Sequence, residues 1–139
     1  MLRILVAEDE RVTARLMAHL LKPYGGCTLA ADGETALSLF KDAHTRGEPF
    51  ELIFLDIGMP KMNGNEVLEA IRDFEAAKEI APDQGVKIIV TTIYQDTENV
   101  LAAHVSGCQR YLVKPLNQKT LHSVLITLGL VSPDDDREV

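Results

Sequence analysis

Leu52-Ile53-Phe54-Leu55-Asp56-Ile57-Gly58-Met59-Pro60-Lys61-Met62-Asn63-Gly64-Asn65-Glu66 is the stretch on which the fold turns. Its first four residues are apolar with no polar alternation. An extended backbone here must be covered on both faces, as strands of a parallel sheet are. The run closes on a carboxylate. Asn63 and Glu66 then stand three apart, the spacing of a capping box, and Val67, Leu68, Ile71 and Phe74 recur with a helical period. A buried strand, a turn carrying Gly58 and Pro60, and a capped helix make part of a right-handed βαβ unit.

The same phrase recurs on either side. Leu2–Ala7 and Lys87–Thr91 are near-continuous apolar runs and predict strands, and Cys27–Ala30 and Tyr111–Val113 are shorter versions. Helices fall between them. Val12, Leu16 and Leu20, with Met17 and Leu21 alongside, predict one apolar stripe that Pro23 and Gly25-Gly26 end. Ala36, Leu37 and Phe40 mark a second helix. Val100 and Ala103 mark a fourth, between a cap at Asp96 or Thr97 and a stop at Gly107. Leu121, Val124, Leu125 and Leu128 mark a fifth behind Asn117. Ala76–Gly85 is polar and reads as a helix end plus a loop. The expected class is α/β: a flavodoxin-like, doubly wound, five-stranded parallel sheet of order 2-1-3-4-5 with helices on both faces. Residues 1–130 are expected to form the domain and 131–139 an acidic, disordered tail.

The 139 residues suit one domain, with 46% hydrophobic residues for its core and 25% charged residues for its surface. A net charge of −7 without any Lys/Arg cluster argues against a nucleic-acid partner and favours cations and basic surfaces. The first apolar run meets Glu8-Asp9-Glu10 too soon for a secretory signal. No run approaches the roughly 20 apolar residues that span a bilayer. Cys27 and Cys108 are isolated and read as small buried hydrophobes. The expected compartment is the cytoplasm, with no membrane partner.

In open α/β sheets, ligands bind beyond the carboxyl ends of the strands. The residues that follow each strand are therefore the informative ones: Glu8-Asp9 after the first, Asp56 after the third, Thr91-Thr92 at the fourth, Lys114-Pro115 after the fifth. Singly, an Asp at a strand end is ordinarily a cap and an Asp–Lys pair ordinarily a salt bridge. Together they converge. Strands one and three are neighbours in the order 2-1-3-4-5, so Glu8, Asp9 and Asp56 crowd, and crowded carboxylates resist joint ionisation unless a proton or cation relieves them. An all-oxygen, highly charged donor set suits a hard ion such as Mg²⁺.

At these residues the chain resembles the receiver domain of two-component response regulators, of the stand-alone chemotaxis-regulator type. The likeness runs from Leu2 to about Leu128. It rests on Ile-Leu-Val-Ala-Glu8-Asp9-Glu10, on Leu-Asp56-Ile-Gly-Met-Pro60-Lys-Met-Asn-Gly64, on Ile-Ile-Val-Thr91-Thr92 and on Tyr111-Leu-Val-Lys114-Pro115. The resemblance implies that Asp56 accepts a phosphoryl group from a histidine kinase or a histidine phosphotransfer protein. It implies Mg²⁺, with Mn²⁺ as a substitute, on Asp9, Asp56 and the Gly58 carbonyl, and Glu8 acting through water. It implies Lys114 and the Thr91 hydroxyl on the phosphoryl oxygens, with backbone contacts from Ile57, Gly58 and Thr92, and a cis bond at Pro115. Thr91 and Tyr111 would form the switch, the Tyr111 ring turning inward to reshape the face of the fourth helix, fifth strand and fifth helix; the plain alternative for Tyr111 is a strand aromatic. No external substrate is turned over. A downstream protein target, no DNA-binding output, and a monomer or weak dimer complete the expectation, since the chain ends soon after the fifth helix.

Three positions depart from the commoner pattern. Gly58 has no side chain, Thr92 is bulkier than alanine, and Ile93 is apolar where a water-orienting group can sit, so slow hydrolysis of the phosphoryl group is expected. Rival readings are weaker. An aspartate-nucleophile hydrolase has Asp-x-Asp, but Asp56 is followed by Ile57 and Gly58. A nucleotide- or flavin-binding module opens its first strand into glycines, not Glu8-Asp9-Glu10. A degenerate receiver, acting only as a binding module, has lost residues that are all present here. His104 and Cys108 stand four apart but straddle Gly107, which breaks the helical geometry a metal pair needs. His19, His44 and His122 are scattered, and Thr13, Ser38 and Ser123 have no base partner.

Overall fold

The computed structural model describes residues 1–59, 61–93 and 107–133. Five strands, β1 (Leu2–Ala7), β2 (Gly25–Ala30), β3 (Leu52–Asp56), β4 (Lys87–Thr92) and β5 (Arg110–Val113), form one sheet of order β2-β1-β3-β4-β5 with every pairing parallel. Among the described residues the helices are α1 (Arg11–Leu21), α2 (Gly33–Thr45), α3 (Gly64–Ala77) and α4 (Gln118–Thr127), with a 3-10 turn at Pro82–Gln84. The expected helix around Val100 and Ala103, with its N-cap candidates Asp96 and Thr97 and with His104, lies outside the described residues, whereas its expected stop, Gly107, is described and has a φ of +102. No described helix is long and apolar enough to cross a membrane.

The continuous apolar runs have the cause inferred for them. Leu5, Ala7, Ile53, Leu55, Ile88 and Val90 point to one face, under Ala36 and Phe40 of α2 and Val67, Leu68 and Ile71 of α3. Ile4, Val6, Leu52, Phe54 and Ile89 point to the other, under Met17 and Leu21 of α1 and Leu121 and Leu125 of α4. Burying one such side chain fully contributes about 1.5–3 kcal/mol, so neither layer can be peeled off cheaply. The caps also hold. Asn63 and Glu66 exchange bonds with each other's amides at 3.0 and 3.1 Å, and Asn117 accepts from the Thr120 amide at 2.8 Å.

Three expectations need correcting. The buried face of α1 is Ala14, Met17 and Leu21, while Val12 and Leu16 of the expected stripe are 81% and 48% exposed. Gly25 and Gly26 do not stop α1, which has already ended at Leu21; they open β2, and a side chain on Gly25 would collide with the Leu2 carbonyl. Val131, placed in the tail, is buried in the core beside α4, whereas residues 134–139 lie outside the described residues.

Candidate functional site

Parallel pairing puts every strand's carboxyl end on one edge. Ala7 stands beside Leu55 and Asp56 beside Thr91, so the residues just beyond β1, β3, β4 and β5 meet. Carboxylate oxygens of Glu8, Asp9 and Asp56 all lie within 4.8 Å of one another. The Lys114 ammonium reaches in from beyond β5, in close contact with Glu8 Oε1 and 3.4 Å from Asp56 Oδ2. Glu8, Asp56, Thr91 and Thr92 are buried, and Asp9 is exposed.

Local backbone holds the pieces. The Gly58 amide donates to Asp56 Oδ1 at 3.0 Å, and the Glu10 amide to Glu8 Oε2 at 3.1 Å. Gly64, the first residue of α3, packs against the Asp56 carbonyl so closely that an added Cβ would stand 2.7 Å from it. The Thr91 hydroxyl donates to the Leu55 carbonyl at a long 3.4 Å. The Ile57 amide, one of the expected phosphoryl contacts, donates to the Thr91 carbonyl at 3.1 Å. The Lys114–Pro115 bond is cis. Tyr111 is 42% exposed on β5.

The electrostatics follow from three carboxylates facing one ammonium. Burial pushes the Glu8 carboxyl above its ordinary value, and the Lys114 hydrogen bond and Glu10 amide pull it only partly back. Burial would lower Lys114, but its hydrogen bond to Glu8 and the charge of Asp56 outweigh that and hold the ammonium above its usual range. Lys114 is thus a fixed positive charge, and a net excess of negative charge remains. The oxygen-only donor set and its spacing fit a hard divalent cation.

Some of this edge was not legible beforehand. Val12 and Leu16, read as core, lie exposed on α1. Leu16 shares an apolar groove with Met17, Leu20, Ile93, Pro115 and Leu116 directly beside Lys114. The signal available in the sequence was Ala14, which shares a helical row with Met17 and Leu21. The two cysteines are half-buried, and burial raises both thiols, Cys27 to about 11.

A family model described as the response regulator receiver domain matches residues 4–126. The chain is 34% identical over 131 residues to hybrid signal transduction histidine kinase I of Dictyostelium discoideum, covering 90% of this chain and 7% of that protein. It is 33% identical over 122 residues to the probable transcriptional regulator ycf27 of Porphyridium aerugineum, covering 87% and 45%. The chain therefore spans less than half the length of these relatives. The structure of the Vibrio cholerae chemotaxis protein CheY4 superposes with a TM-score of 0.76 at 28% identity, covering 92% of this chain and 98% of that one. Order of strands, edge chemistry and these likenesses agree, and the chain belongs to the response regulator receiver domain family, phosphoacceptor signalling modules of two-component systems.

Proposed function

We propose that Asp56 is the phosphoacceptor of this receiver, taking a phosphoryl group from a histidine kinase or a histidine phosphotransfer protein. One observation carries this: the Asp56 carboxylate is buried among Glu8, Asp9 and Lys114, with its Oδ1 held by the Gly58 amide. Its free direction of attack is set before a donor arrives, and positioning with charge compensation is most of what phosphoryl transfer requires. As the Asp56 oxygen bonds to phosphorus, the phosphorus–nitrogen bond of the donor breaks. Lys114 is placed to leave Glu8 for a phosphoryl oxygen. The Thr91 hydroxyl exchanges its long bond to Leu55 for another, and the Gly58 and Thr92 amides serve the remainder.

Asp9, Asp56 and the Gly58 carbonyl would hold Mg²⁺ directly, with Glu8 through water and Mn²⁺ as a substitute. The ion would supply positive charge opposite Lys114 to neutralise the phosphoryl oxygens. Movement of Thr91 opens space beside β5, and Tyr111 turns its exposed ring into it. That reshapes the face formed by β5 and α4, where a downstream protein binds. Leu16 and Ile93, both exposed, line the apolar groove beside Lys114 and, with the exposed Val12 of the same helix as Leu16, suit contact with a protein donor. Hydrolysis is slow because neither Gly58 nor Ile93 orients water; a phosphoryl half-life of seconds without any phosphatase overturns that part. The protein works in the cytoplasm, as a monomer or weak dimer, without binding nucleic acid.

The test is incubation with acetyl phosphate and Mg²⁺, read by intact mass. A single phosphoryl adduct that is labile to hydroxylamine, and absent from Asp56→Asn, is expected. An unmodified native chain under every donor tried overturns the reading.

A further inference from the structure

A second polar cluster lies at the opposite edge of the sheet, and the phosphoacceptor chemistry does not use it. Arg72 on α3 donates from Nε and Nη2 to the Gly107 carbonyl at 3.1 and 2.8 Å, and from Nη2 to Gln109 Oε1 at 3.1 Å. Its Nη1 pairs with Glu75 Oε1 at 2.7 Å, with side chains only 16% and 7% exposed. Glu75 Oε2 accepts from the Val86 amide at 2.7 Å. Gln109 Oε1 accepts from the Ile88 amide at 2.6 Å, while the Gln109 amide donates to the Ile88 carbonyl at 2.9 Å. Gly107, at φ +102, turns the chain into β5, and an added Cβ there would press on Arg72 Nε at 3.3 Å.

The cluster therefore bolts the feet of β4 and β5 to α3. What it bolts matters. Among the described residues β5 has only β4 beside it and is four residues long, with Arg110, Tyr111 and Val113 exposed. So short and shallow a strand has little packing of its own to resist sliding or peeling. Val90 pairs with Tyr111 and Thr91 with Leu112, so the proposed switch residues sit on these two strands, above the bolted feet.

We infer that Arg72 is a positioning residue that anchors the foot of β5 through Gly107 and Gln109, so that a change at Thr91 is delivered to Tyr111 as a local rotation instead of a slide of the whole strand. This rests on the phosphoacceptor reading and adds a mechanical fulcrum to it. Arg72 touches none of the reacting groups. Its planar fork is what lets one side chain hold a main-chain carbonyl, an amide and a carboxylate together, which lysine cannot do.

The experiment uses the full chain with beryllofluoride and Mg²⁺, fluorotyrosine labelling, and ¹⁹F NMR, with the Tyr111 resonance assigned by Tyr111→Phe. One spectrum reports both bound beryllofluoride and the Tyr111 response. In Arg72→Lys and in Gln109→Asn, bound beryllofluoride should stay within about twofold of the native level while the Tyr111 shift change falls by half or more. Amides from Gly107 to Arg110 should also exchange faster in both. A full Tyr111 response in both variants overturns the inference, as does loss of the fold in both, which would make the cluster a stability element only. A native chain that binds no beryllofluoride sinks the phosphoacceptor reading and this one with it. A native chain that responds, beside variants that respond equally, sinks only the anchor.

Discussion

The two edges of the sheet solve opposite problems with similar residues. At the carboxyl edge, Glu8, Asp9 and Asp56 face the single ammonium of Lys114, and the imbalance leaves a place for a cation. At the amino edge, Arg72 and Glu75 balance in charge, and amide groups and a carbonyl take up their remaining bonds. The first cluster is open and overcharged, which is what a reactive site needs. The second is closed and neutral, which is what an anchor needs. Burial alone does not separate them, since Glu8 and Glu75 are both buried. The counting of charges and partners does.

Breaking the closed edge should have the largest effect. Glu75→Ala leaves Arg72 without its counter-ion and the Val86 amide without an acceptor, and is expected to cost about 3–5 kcal/mol in chemical denaturation. Loss below about 1 kcal/mol would show that the pair is not closed. The open edge should behave in the reverse sense. Mg²⁺ at a hundred times its dissociation constant is expected to stabilise the native chain by about 2.7 kcal/mol. Asp9→Asn should abolish most of that gain yet raise stability in EDTA by about 0.5 kcal/mol, because it removes one crowded charge. A destabilised Asp9→Asn in EDTA would mean the carboxylates are already compensated. Between the two lies Gly64→Ala. Its Cβ meets the Asp56 main-chain carbonyl at 2.7 Å, an atom that cannot rotate away, and a cost of about 1–3 kcal/mol is expected with weakened Mg²⁺ binding.

The smallest effect sharpens the comparison at the anchor itself. Cys108 lies between Gly107 and Gln109, and burial raises its thiol, with Arg72 pulling partly back. The thiolate is the reactive form, so a raised thiol holds less thiolate at any given pH and its alkylation accelerates as pH rises. At pH 8, iodoacetamide should modify Cys108 more slowly than a free cysteine. Loosening the anchor by Gln109→Asn should speed that reaction about two- to threefold, with Cys27 as the internal control. An unchanged ratio of the two rates would count against a loosened foot.

How far these features could be read in advance depended on their distance along the chain. The strands were legible because covering both faces demands continuous apolar runs such as Leu52–Leu55. The caps at Asn63 and Asn117 were legible because they act over three residues. The face of α1 was legible only in part: Met17 and Leu21 of the expected stripe are buried, Ala14 was not in it, and Val12 and Leu16 face outward. Val12-Leu16-Leu20 and Ala14-Met17-Leu21 are neighbouring rows of one helix, and only the sheet's surface chooses between them. The anchor was not legible, since Arg72 meets partners 35 and 37 residues away that nothing local marks.

By itself, the sequence determined the class of fold, the order of its elements and the set of polar residues placed after each strand, because each follows from local periodicity and from the rule that parallel strands share a carboxyl edge. Only the tertiary structure decided that Lys114 rests against Glu8 as well as Asp56, that Val12 and Leu16 face outward, and that α3 grips the foot of β5. Those outcomes depend on separations of a few ångströms between segments distant in the chain, and packing sets such separations where periodicity does not.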